Sequence, residues 1–213
     1  MDLALLQRTS LFAGMEPGEI RQVLEQSGAL VRQYGRGAFL WQQGENVQHL
    51  GIVLSGTVDA VRYHRGGRAE PVGRQQQGGV FGDLVAAAGA PSPVSLQAAE
   101  PATVLLLPLE ALMAGEGPAM ARLRQNLLRE VAEKFWLLRR RTAYLTEPSL
   151  RRRLELYLGD CRQRWGNPFT IPYNRQELAD FLGVNRSALS RELGRMQRQG
   201  LVRFQRSRFW MPE

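Results

Sequence analysis

A chain of 213 residues in which 44% are hydrophobic suits two small domains and a connector, with enough apolar material for a sizeable core. One cysteine, Cys161, excludes an internal disulfide framework, a cysteine-ligated zinc site and an iron–sulfur cluster, and makes a reducing, cytoplasmic setting the expectation. No run of about 18 apolar residues exists and Met1 to Arg8 lacks a basic-then-apolar order, so neither a membrane span nor a secretory leader is expected, while the net charge of +8 favours an acidic partner.

The first region, residues 1–116, opens with short helical patterns over Leu3 to Leu6 and Pro17 to Leu24. It continues as short apolar runs: Ala38–Trp41, Leu50–Leu54, Thr57–Val61, Val80–Phe81 and Thr103–Leu107. Glycines at 35, 37, 44, 56, 66–67 and 78–79 punctuate these runs. Strands of this length at this spacing predict an antiparallel barrel or jelly roll.

Residues 117–147 read as one long helix opened by Pro118. Ala121, Arg124, Leu128, Val131, Phe135, Leu138, Thr142 and Leu145 recur at alternating spacings of three and four, a heptad seam that is apolar at six of its eight positions. A homodimer coiled coil is the reading a narrow stripe on a long helix favours; an ordinary core helix is the alternative. Pro148 ends the helix and marks a hinge.

Residues 148–213 hold 13 Arg against six acidic residues, so nearly all the excess positive charge lies here. Of the 28 basic residues only Lys134 is a lysine. Arginine suits phosphate and guanine through its planar fork, although a G+C-rich genome yields the same bias, so the location of the charge weighs more than its type. Asn174 with Glu177 forms a capping box for a helix over about 175–182, whose inner face carries Leu178, Phe181 and Leu182. Gly183 allows a tight turn, and Asn185 caps a second helix that runs to about Arg198 and stops at Gly200. Leu189, Leu193 and Met196 point inward, leaving Arg186, Ser187, Ser190 and Arg191 outward: a helix-turn-helix reader. Arginine can bond both acceptors of guanine, and serine can serve either kind of base edge. Glu192 is an imperfect fit, since many such motifs are apolar there. Two short strands around Gln205–Ser207 predict a wing from which Arg206 and Arg208 reach phosphates.

These segments, with Trp41-Gln42-Gln43-Gly44-Glu45, Ile52-Val53-Leu54-Ser55-Gly56 and Phe81-Gly82-Asp83-Leu84, resemble the CRP/FNR family of bacterial transcription regulators over almost the whole chain. The resemblance implies an α+β chain: an antiparallel β-roll sensor domain (1–116), a long dimerisation helix (117–147) and a winged helix-turn-helix domain (148–213). It implies a sequence-specific regulator, not an enzyme, that forms a homodimer on palindromic half-sites of double-stranded DNA and works with RNA polymerase. Arg186, Ser187, Ser190 and Arg191 fall at the family's base-reading positions, with Asn185 beside them. Arg175 falls where a backbone contact is common, and Ser187 replaces the usual glutamate.

The effector is less legible. Gly82-Asp83-Leu84 resembles the start of a cyclic-nucleotide phosphate cassette, but the stretch where its arginine belongs reads Pro91-Ser92-Pro93-Val94-Ser95. A buried phosphate without a cation is costly, which disfavours cyclic AMP or GMP. The family's nucleotide-bonding helix positions fall near Trp136 and Leu137. Gly82, Asp83, Leu84, Val94, Trp136 and Leu137 are therefore candidates for an unidentified small-molecule effector. Haem, through His49 or His64, is the alternative, although neither histidine stands in a ligation motif. Two scattered histidines do not build the ligand cluster of a cupin-type metalloenzyme. A sequence-blind nucleic-acid binder would share the basic tail but need neither the two-helix motif nor the seam.

Overall fold

Two short helices, α1 (Leu3–Gln7) and α2 (Pro17–Ser27), form where the sequence carries apolar residues at helical spacing. Pro17 opens α2, and Gly28 closes it in the left-handed conformation. The computed structural model describes residues 2–212, and the chain divides into two units, Met1–Glu133 and Lys134–Glu213.

In the first unit the strands are β1 (Leu30–Tyr34), β2 (Phe39–Trp41), β3 (His49–Ser55), β4 (Val58–Tyr63), β5 (Ala69–Gln75), β6 (Val80–Phe81), β7 (Ser95–Ala98) and β8 (Ala102–Pro108). They pair antiparallel in two four-stranded sheets, ordered β1-β8-β3-β6 and β2-β7-β4-β5. Two short helices interrupt the roll, α3 (Asp83–Ala88) after β6 and α4 (Leu109–Ala114) after β8. All five apolar runs of the sequence become strands. Three other strands, β1, β5 and β7, carry no pattern that marks them. β1 and β5 are edge strands, largely solvent-exposed on both faces, so no alternation was required of them. β7 is short and contains Ser95 and Gln97.

The sheets enclose one core and back onto another. Leu50 and Ile52 of β3, and Leu105 and Leu107 of β8, face a core completed by Leu6, Ile20 and Leu112 from the helices and by Phe12 from the turn between α1 and α2. Val53 of β3 and Val104 of β8 face the roll interior with Trp41, Val58, Phe81 and Leu96. A strand covered on both faces reads as a continuous apolar run, as Leu50 to Leu54 does.

The helix α5 (Pro118–Thr146) has 29 residues and crosses the division between the units. Its first turns bury Ala119, Met120, Leu123 and Leu127 in the helix-backed core. There Asn126 donates to the carbonyls of Leu11 and Ala13, each at 3.0 Å. Arg124 donates to the carbonyls of Leu112 and Gly115 at 2.9 and 2.6 Å, fastening the end of α4 to α5. The heptad seam is split: Arg124 and Val131 turn to this core, whereas Leu128, Phe135 and Leu138 are 70%, 56% and 64% exposed.

The second unit continues with α6 (Leu150–Trp165), β9 (Phe169–Thr170), α7 (Arg175–Phe181), α8 (Arg186–Arg198), β10 (Arg203–Gln205) and β11 (Arg208–Trp210). Its core gathers Tyr144, Leu154, Leu158, Leu178, Leu189, Leu193, Val202 and Phe209. The predicted wing is present as β10 and β11, and β9 adds a third strand beside β11. Pro148 follows the end of α5, but residues on both sides of it are held to this unit. Arg141 donates to the Phe181 carbonyl at 3.2 Å, the Tyr144 hydroxyl bonds Asp160, and Arg153 donates to the carbonyls of Glu147 and Leu182 at 2.6 and 2.9 Å. The proline thus stops the helix within a hydrogen-bonded segment.

Candidate nucleic-acid interface and sensor site

The reading head is built by two caps and a turn. Asn174 Oδ1 accepts from the N–H groups of Gln176 and Glu177 at 2.9 and 3.0 Å, and Glu177 accepts the Asn174 N–H at 2.8 Å. This capping box starts α7 where the sequence places it. Ala179, fully buried, lets the helices approach, and Gly183 turns the chain at φ +66°. A Cβ at Gly183 would sit 2.8 Å from Leu145 Cδ2. Asn185 Oδ1 then caps α8 by accepting the Ala188 N–H at 2.7 Å.

Burial of Leu189, Leu193 and Met196 sets the rotation of α8 and turns Arg186, Ser187, Ser190 and Arg191 to solvent. Glu192, the residue that fitted the motif poorly, is nearly buried yet paired, with Arg195 at 3.3 Å and with Arg151 of α6 at 3.7 Å. A partner so far upstream in the chain leaves no local signal.

A cleft of about 450 Å³ opens between the starts of α7 and α8 and the wing. It brings together Arg175, Arg186 and Arg206, with Asn174, Gln176 and Ser207 beside them. Three guanidiniums around one opening make a natural seat for a phosphodiester. Arg175 is half-buried, its guanidinium 4.7 Å from the Phe204 ring and 5.3 Å from the Phe209 ring, and burial lowers its pKa. It therefore also braces the wing against α7. Arg206 forms the wing turn at φ +54°, and Arg208 lies over Trp210 at 5.1 Å. Ser190, Arg191 and Arg208 do not line this cleft. Gln176, Asn174 and Ser207 do, although the sequence reading does not single them out as contacts.

In the sensor unit, Gly82 caps α3 at φ +76°, and a Cβ there would lie 2.7 Å from the His49 carbonyl oxygen and 3.2 Å from the Trp41 ring. No side chain fits that position. Asp83 is buried in the first turn of α3, Leu84 is exposed, and Val94 is half-buried with its carbonyl accepting from Ser92 Oγ at 2.7 Å. The stretch where a phosphate-binding arginine would lie is stitched to its neighbours. Trp41 Nε1 donates to Ser92 Oγ at 3.1 Å, the Ser92 N–H donates to the Glu45 carbonyl at 2.8 Å, and Ser95 Oγ accepts the Gln43 N–H at 2.9 Å. Trp41 and Phe81, their rings 5.8 Å apart, pack inside the roll. Trp136 and Leu137 belong to the second unit and are exposed on α5. A separate opening of about 490 Å³ is lined by His49, Ala86, Ala90, Leu109, Glu110 and Met113 among others. His64 is bonded to Glu70 at 2.7 Å, a contact that lowers the Glu70 pKa. Among the described residues no group of three His, Cys, Asp or Glu is placed to hold a metal ion, and no helix is long and apolar enough to cross a membrane.

Residues 31–114 match the cyclic nucleotide-binding domain, and residues 149–211 match the Crp-like helix-turn-helix domain. A probable transcriptional activator from Rhizobium leguminosarum bv. viciae is 27% identical over 204 residues, covering 91% of this chain and 81% of that protein. Electron transport regulator A of Shewanella oneidensis is 25% identical over 174 residues, covering 78% of this chain and 68% of that protein. The structure of FixK2 from Bradyrhizobium japonicum shares the fold, with a TM-score of 0.53 at 19% identity, covering 87% of this chain and 93% of that one. With a cyclic nucleotide-binding domain fold, a long helix and a Crp-like DNA-binding helix-turn-helix in this order, the chain belongs to the CRP/FNR family of transcription regulators.

Proposed function

We propose that this chain is a sequence-specific regulator that acts as a homodimer on palindromic DNA under the control of an effector other than a cyclic nucleotide. It is not an enzyme, works in the cytoplasm and engages RNA polymerase. In this reading residues 1–116 sense, 117–147 dimerise and 148–213 read DNA. The observation that carries it is α8, whose buried Leu189, Leu193 and Met196 leave Arg186, Ser187, Ser190 and Arg191 on one open face. The exposed Leu128, Phe135 and Leu138 support pairing of two α5 helices, which would set two α8 helices about one turn of DNA apart.

Against a cyclic nucleotide stand the buried, hydrogen-bonded Ser92 and its arginine-free surroundings between Gly82 and Leu96, together with the Trp41–Phe81 packing. An uncompensated phosphate there costs several kcal/mol on the order-of-magnitude scale for buried charges. The opening beside His49 and α4 offers the effector a place, and Arg124 ties α4 to α5. Because His49 lines that opening, a haem-based gas or redox sensor of the same architecture is the second reading. Selection of duplexes from a random pool by the full chain, followed by competition with random DNA at fixed salt, tests the function. A palindromic consensus bound at least a thousandfold more tightly, on the usual scale of specificity ratios, is expected. Equal affinity for every duplex defeats it. A Soret band in the purified chain would decide for haem.

A further inference from the structure

The cap of the recognition helix dictates what Ser187 can offer a base. Asn185 Oδ1 accepts two hydrogen bonds, from the Ala188 N–H at 2.7 Å and from Ser187 Oγ at 2.8 Å. The backbone N–H of Ala188 can only donate, so the Asn185 atom that faces it must be the oxygen and not the amide nitrogen. An oxygen at that place can only accept, so the Ser187 hydroxyl must give it its single proton. What remains on Ser187 Oγ, which is exposed at the start of α8, is its lone pairs.

We infer that Ser187 acts as a dedicated hydrogen-bond acceptor, selecting a base with an exocyclic amino group, adenine or cytosine, at the half-site position it faces. The inference rests on the proposed DNA-reading role of α8. A free serine hydroxyl turns to serve donors and acceptors alike, whereas a hydroxyl held by Asn185 opposes guanine and thymine, whose major-groove edges present oxygen acceptors on the corresponding carbons. Asn185 thereby becomes a specificity-positioning residue that acts through Ser187. The same oxygen that starts the helix also removes the ambiguity of its second side chain.

The test starts from the operator selected by the full chain and substitutes each half-site base in turn. The position facing Ser187 is the one whose preference relaxes in Ser187→Ala. Adenine or cytosine there should bind about three- to tenfold more tightly than guanine or thymine, the range of one net hydrogen bond. Replacing that adenine by purine, or that cytosine by 2-pyrimidinone, removes the amino group and should abolish the preference. Asn185→Gly preserves the cap conformation at small cost in stability, frees the hydroxyl and should bring all four bases to within about twofold, a loss of the single net bond. Guanine or thymine preferred at the Ser187-dependent position overturns the inference, as does a preference that Asn185→Gly leaves intact. A specific operator that is indifferent to Ser187→Ala at every position overturns this inference alone. A chain without sequence preference overturns the functional reading as well.

Discussion

Two glycines of the second unit make opposite predictions from the same substitution. Gly183 lies at φ +66° in the turn between α7 and α8, where an added Cβ would stand 2.8 Å from Leu145 Cδ2. Gly159 lies inside α6, with nothing within 4 Å of its would-be Cβ. In Gly183→Ala the left-handed backbone costs about 1–2 kcal/mol, and pushing Leu145 off its rotamer adds about 0.5–1.5 kcal/mol. The stiffer unfolded chain returns about 0.4–1 kcal/mol. The net loss is about 0.5–3 kcal/mol, which in a unit of this size lowers Tm by roughly 2–25 °C. Gly159→Ala pays no such strain and should gain about 0.5–1 kcal/mol from better helix propensity. Urea and thermal unfolding of the full chain, followed by circular dichroism, measure both. Because Gly183 also sets the approach of α8, its variant should weaken operator binding at a temperature where it remains folded, measured by fluorescence anisotropy. Unchanged midpoints in Gly183→Ala, or a destabilised Gly159→Ala, would refute the packing argument.

Asn174→Ala removes the acceptor of two N–H groups and should cost about 1 kcal/mol in urea unfolding. Glu192→Ala leaves Arg151, whose Nε is buried without a hydrogen bond, with one fewer ion-pair partner; a loss of up to about 1 kcal/mol is expected, since the pair is partly exposed. Phe135→Glu with Leu138→Glu places charges on the open seam of α5 and should yield monomers by sedimentation while the fold is retained, with operator binding lost. Burial pushes the Cys161 thiol up to about 11, and burial also raises Tyr144, Tyr157 and Tyr173. These groups ionise first in the unfolded chain, so their contribution is intact at neutral pH; that of Cys161 drains away as pH rises from about 9 towards 11, and that of the tyrosines only as pH rises above about 10. Cys161→Ala should flatten that alkaline loss in urea unfolding by at most about 3 kcal/mol, and a thiol reagent at pH 8 should react with Cys161 only on unfolding.

Local chemistry made the reading head legible. Asn174 with Glu177, Gly183, Asn185 and the inward Leu189, Leu193 and Met196 are each governed by neighbours within a few residues, and short-range rules locate them. The five apolar strands were readable because their burial demands it. Edge strands β1 and β5 were not, since solvent imposes no alternation on them.

What the amino-acid order determined alone is the succession of roll, rod and winged reader, because periodicity, caps and turn residues act over a few positions. Only tertiary packing decided the rest. It joined Arg151 to Glu192, laid Arg175 across Phe204 and Phe209, filled the roll with Trp41 and Phe81, and gathered Arg175, Arg186 and Arg206 around one cleft. Each of these contacts joins residues from different elements, and their meeting depends on how whole helices and sheets bury their apolar faces, which no local pattern encodes.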